Sequence, residues 1–120
     1  MAIVTEGEFD ATLLQQAVPD VAVVTMGSAT AGLSPYWHSY LGTVDRLLVC
    51  MDKDTAGEHG LAKWQRAVPW AEVMQPPAGV PGKDVCDWWR AGVDLPAWVE
   101  GNLTMAKSAV KGAMTNETAF

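Results

Sequence analysis

Positive charge is in short supply in this sequence. It has 8 Lys and Arg against 14 Asp and Glu, a formal net charge of −6. That balance argues against a stand-alone domain held to DNA by bulk electrostatics, because phosphate contacts come from Lys and Arg. Either the substrate is not a nucleic acid, or metal ions and partner domains supply the positive charge. Cysteine is scarce as well. The chain has 2, Cys50 and Cys86, far apart and without a Cys-x-x-Cys or Cys/His companion. This argues against a disulfide framework or a zinc site and reads as reduced thiols in a cytoplasmic protein. No apolar run approaches the ~20 residues that span a bilayer, so no membrane association is expected. The N-terminus lacks a basic segment followed by an apolar stretch, so nothing directs secretion.

The chain has 120 residues, 49% of them apolar, which fits one domain with a real core. Ala2-Ile3-Val4-Thr5 is a short β-branched run that stops at Glu6-Gly7. A helix follows, with Phe9, Leu13, Leu14 and Ala17 at helical spacing, and Val18-Pro19-Asp20 breaks it. Residues Val21 to Met26 form a second strand run. Tyr36, Trp37, Tyr40 and Leu41 mark a second helix that Gly42 ends. Leu47 to Met51 is the third strand run, stopped by Asp52. Asp54 or Thr55 caps the next helix, and Thr55 to Glu58 has capping-box spacing. That helix carries Leu61, Trp64 and Val68 on one face and ends at Pro69. Ala71 to Met74 is a weaker fourth strand, and Pro76 to Gly82 a turn-rich loop. A short helix from Val85 to Ala91 and a last one from Pro96 to Ala113 complete the pattern, with a frayed tail from Thr115 to Phe120. Continuously apolar strands alternating with helices predict an α/β fold, a parallel sheet covered on both faces.

Three acids fall at strand ends. Glu6 lies where the first run stops, Asp52 where the third stops, and Asp54 at the start of the following helix. In open parallel sheets ligands bind outside the carboxyl ends of the strands. Two strands therefore deliver carboxylates to one rim, where mutual repulsion calls for a shared cation or proton. Oxygen ligands at a solvent-open rim suit Mg²⁺, with Mn²⁺ as its substitute. Each acid also has a plainer reading. Asp54 can be only an N-cap, and Glu6 can simply sit near a helix N-terminus.

The stretch Val4-Thr5-Glu6-Gly7-Glu8-Phe9-Asp10-Ala11 resembles the first signature of the Toprim family, a strand ending in Glu-Gly with an Asp soon after. Leu47-Leu48-Val49-Cys50-Met51-Asp52-Lys53-Asp54-Thr55-Ala56-Gly57 resembles the second, an apolar strand ending in Asp-x-Asp with Ala-Gly following. Gly82-Lys83-Asp84-Val85-Cys86-Asp87 is similar to the Lys-Asp-x-x-Asp segment of the primase branch, and the loop Thr25-Met26-Gly27-Ser28-Ala29 looks like that of primases of phages and mobile elements. The likeness covers roughly Ala2 to Gly92. It implies a compact Rossmann-like fold of about four parallel strands with flanking helices, with residues 1–100 as the Toprim domain and 101–120 as a C-terminal helix and tail. It implies Glu6 as general acid/base or as the group that orients the leaving group, Asp52 and Asp54 as Mg²⁺ ligands with Glu6 in the same set, and Asp10, Asp84 and, more weakly, Asp87 around the same acidic pocket, behind the ligands or holding a second ion. The implied activity is nucleotidyl or phosphodiester transfer on DNA or RNA, best matched by a primase using nucleoside triphosphates. An endonuclease and a non-catalytic binding module are the alternatives. Primases carry a zinc-binding module and a basic region before this domain, whereas this sequence opens at the first strand. Priming is therefore expected to call on further domains or proteins, a zinc module or a helicase among them.

Other residues have two readings. Lys53 and Lys83 either face phosphate or are solvated. Gly57 and Gly60 either let phosphate approach the helix start or pack closely on the sheet. Trp64 and Trp98 read as core. Trp88 and Trp89 are adjacent, so at least one turns from the helix's buried side, where it would stack on a base or dock another domain. His38 and His59 have no partner pattern, and His59 reads as a surface residue.

Overall fold

In the computed structural model, residues 1–25 and 39–105 are described. β1 is Ala2–Thr5, α1 Glu8–Ala17, β2 Ala22–Thr25 and β3 Leu47–Cys50. α2 is Thr55–Ala67, β4 Glu72–Val73 and α3 Val85–Arg90. A further helix, α4, occupies residues 95–105, and a helical turn occupies residues 39–41. The strands form a 4-stranded sheet in the order β2-β1-β3-β4, and every pair is parallel. This is the expected α/β, Rossmann-like arrangement.

Alternation along the strands sorts side chains to two faces. Ile3, Leu48 and Cys50 pack with Leu14 of α1, Val85 and Trp88 of α3, and Leu95 and Val99 of α4. Ala2, Val4, Leu47 and Val49 pack on the other face with Leu41, Trp64 and Val68. Both central strands are buried throughout, which is why their sequences read as unbroken apolar runs. Each Val, Leu or Ile so buried contributes roughly 1.5–3 kcal/mol.

Polar ties fix the edges. Gln15 donates to the Val21 carbonyl (2.8 Å) and accepts from the Val23 amide (3.1 Å), fastening α1 to the start of β2. Arg46 makes a two-pronged pair with Glu72 (3.0 and 3.2 Å) and donates to the Leu103 carbonyl (3.0 Å), joining β3, β4 and α4. Asn102, 5% exposed, accepts from the Gln75 amide at 2.7 Å.

Several expectations need correction. Phe9 is 81% exposed, because the face that α1 turns inward is marked by Asp10 and Leu14 instead. Thr55 does not cap α2; Asp54 does, accepting from the Gly57 amide. β2 is an edge strand and only partly covered, not a buried one. Trp64 is core, whereas Trp98 is half-buried, donating to the Gln75 carbonyl at 2.9 Å and meeting Trp88 edge-on. Met26, the loop residues 26–29, Tyr36, Trp37, His38, the helix beyond residue 105 and the tail lie outside the described residues. Among the described residues no helix is long and apolar enough to cross a membrane.

Candidate metal centre

Thr5 pairs with Cys50 in register, so the chain leaves β1 and β3 at the same rim, toward Glu6 and Asp52. Two hydroxyls hold the first exit. Thr5 Oγ1 donates to the Gly7 carbonyl (2.9 Å) and Thr25 Oγ1 to the Glu6 carbonyl (3.1 Å). At the second exit, the Asp54 amide donates to the Asp52 carbonyl at 2.9 Å. α2 then starts at once, its first turn pressed onto this loop. A Cβ on Gly57 would collide with the Asp52 carbonyl oxygen, so glycine is required by the protein's own backbone.

Glu6, Asp52 and Asp54 each place a carboxylate oxygen within 4.8 Å of the others. Asp54 uses Oδ1 to accept from the Gly57 amide at 2.7 Å, while its Oδ2 lies 3.6 Å from Lys83 Nζ. The cap and the cluster are therefore compatible roles for one side chain. Glu6 Oε1 is sealed from solvent and meets no hydrogen-bond donor. Burial pushes the Glu6 carboxyl up to about 8, reinforced by a hydrogen bond to Asp52 and by the charges of Asp52 and Asp54. Burial also raises Asp52, with Asp84 and Asp54 adding to it, while the Glu6 hydrogen bond and Lys83 oppose it. Two carboxylates in this position favour one shared proton or one shared cation. A bare buried oxygen beside two further carboxylates at an open rim fits a hard divalent ion.

Asp10, Asp84 and Cys86 form a second group within 4.8 Å. This one is satisfied from within. Asp10, 6% exposed, accepts from the Cys86 amide at 3.1 Å, and Asp84 caps α3 by accepting from the Asp87 amide at 2.8 Å. Burial and the neighbouring Asp10 push the Cys86 thiol up to about 12, which keeps it a donor. Cys86 was not singled out by sequence; its place two residues after Asp84, on the same helix start, was the available signal.

The remaining candidates separate clearly. Asp87 joins neither group. It accepts from the Lys83 amide at 3.0 Å and anchors that loop. The Lys53 amide donates to the Lys83 carbonyl at 2.6 Å, which brings the Asp-x-Asp loop and the Lys83 loop together, and both lysines are exposed. Trp88 is 1% exposed, with its indole donating to the Gly82 carbonyl at 3.3 Å, so it has no face open to a base. The outward member of the pair is Trp89, 55% exposed. Gly60 is buried and His59 exposed.

The family described as Toprim-like matches residues 3–89, the sheet and both acidic loops included. The chain belongs to the Toprim-like family. A Toprim domain is a metal-dependent nucleic-acid-processing module that binds a divalent ion through acidic residues, and this one brings acidic groups together at the carboxyl rim of its sheet. No curated protein and no solved structure matches this Toprim chain.

Proposed function

We propose that this Toprim domain is the catalytic domain of a DNA primase, carrying out Mg²⁺-dependent nucleotidyl transfer. The observation that carries the reading is the bare, buried Oε1 of Glu6 beside Asp52 and Asp54. On this reading Glu6, Asp52 and Asp54 hold Mg²⁺, with Mn²⁺ as its substitute. When bound, the ion supplies positive charge for a phosphoryl oxygen and for the attacking or leaving oxygen. Glu6 serves as general acid/base at the hydroxyl, and the Gly57 amide keeps Asp54 oriented. Asp10 and Asp84 line the acidic side of the pocket, while Lys53 and Lys83 supply the positive charge near phosphate that the net charge of −6 withholds elsewhere. The partners are DNA or RNA, nucleoside triphosphates, and a zinc-binding module or helicase. The free thiols support a cytoplasmic setting.

Calorimetry with Mg²⁺ and Mn²⁺ tests the ligand set. Wild type binds, and the Asp52→Ala, Asp54→Ala double variant does not; equal binding by both would end the proposal. Incubation with single-stranded DNA and labelled nucleotides, neighbouring domains restored, should give extended products. Shortened strands would assign the same acids to endonucleolytic hydrolysis, and neither product would leave a binding module.

A further inference from the structure

Lys83 is held more firmly than an exposed lysine needs to be. Gly82 precedes it at φ +112°, a conformation other residues rarely adopt, and a Cβ there would strike Asp87. The Lys83 amide then donates to Asp87 Oδ2 (3.0 Å), and its carbonyl accepts from the Lys53 amide (2.6 Å). The residue's backbone is thus fastened on both sides, once to α3 and once to the loop between Asp52 and Asp54. Its ammonium lies 3.6 Å from Asp54 Oδ2, the oxygen that the helix cap leaves unused. A surface ion pair of this length stabilises the fold little, while the backbone ties fix where the ammonium is carried.

Resting on the metal reading above, we propose that Lys83 is a built-in cation that competes with the divalent ion for the outer oxygen of Asp54, and so sets how tightly the site holds its metal. An ammonium and a divalent ion cannot share one carboxylate oxygen without strong repulsion. Loading therefore displaces the ammonium, and the site's affinity is lower than three carboxylates alone would give.

Titration of the full chain with Mg²⁺ by calorimetry at low salt tests this. Lys83→Met should tighten binding by about three- to tenfold, the scale expected when a screened unit charge leaves the neighbourhood of a divalent ion. Lys83→Arg, which keeps the charge, should stay close to wild type, and the gap between Met and wild type should shrink as ionic strength rises. Lys83→Gln serves in place of the Met variant if that one does not fold, with the same expected gain. Wild-type binding that the neutral variants leave unchanged or weaken overturns the role of Lys83 while leaving the metal site standing. No binding by wild type overturns the metal site itself, and the competition with it.

Discussion

Two partly buried glutamates stand at opposite ends of one sheet. Glu72, at the start of β4, has both oxygens engaged by Arg46. Glu6, just past the end of β1, has an oxygen sealed from water with nothing to accept from. The sequence environment of the two is similar, an acid beside a short apolar strand, but the chain provides a guanidinium at one end and two more carboxylates at the other. A buried acid answered by a protein cation belongs to the architecture. One whose bare oxygen faces other acids, with a protein cation only at the outer edge of the group, is open to a cation from outside.

The contrast breaks most severely at Arg46. Arg46→Met leaves Glu72 without its partner and removes the bond to Leu103, and should cost about 2 kcal/mol in urea unfolding. That is less than the roughly 3–5 kcal/mol of a fully buried pair, because the Arg46 side chain is 25% exposed. Mg²⁺ affinity should stay as in wild type. Glu6→Gln should act in the opposite sense, raising Tm at pH 9 by a few degrees in the absence of divalent ions while weakening Mg²⁺ binding more than about tenfold. A smaller effect separates the ends by pH. Folding raises the Glu6 carboxyl from 4.5 to about 8. The folded chain keeps a proton that the unfolded chain has released, so this group's contribution is full below pH 4.5 and is lost as pH rises through about 8. Differential scanning fluorimetry should therefore show the ion-free protein losing Tm from pH 5 to 9, and Mg²⁺ raising Tm more at pH 9 than at pH 6. The Gln variant should lack this slope. Smallest of all is Asp45→Asn. It removes a fully solvated pair with the N-terminus (2.9 Å) and should leave the unfolding midpoint unchanged.

The strands and the rim acids were legible because apolar runs ended sharply in Glu6 and Asp52, and parallel pairing carries such ends to one place. The cap at Asp54 was legible as one of two candidates. Phe9 was not, since a helix with apolar residues on two adjacent stripes leaves its rotation to tertiary packing, and here Asp10 turned inward. Asp87 closes a local bond four residues back to the Lys83 amide, a role that a residue in a helix's first turn takes without any signature of its own. Cys86 meets Asp10 of α1, a contact between segments far apart in sequence. The Arg46–Glu72 pair was missed for the same reason.

β1 and β3 are the two interior strands, each bonded on both sides. Their amides should exchange with deuterium more slowly than those of the edge strands β2 and β4, which are bonded on one side only. Glu6 and Asp52 thus follow closely on the ends of these doubly paired strands, while the Lys83 backbone is tied to both the Asp-x-Asp loop and Asp87. The rim's oxygens therefore keep their spacing whether or not an ion is present, because the strands that lead to them are gripped from both sides.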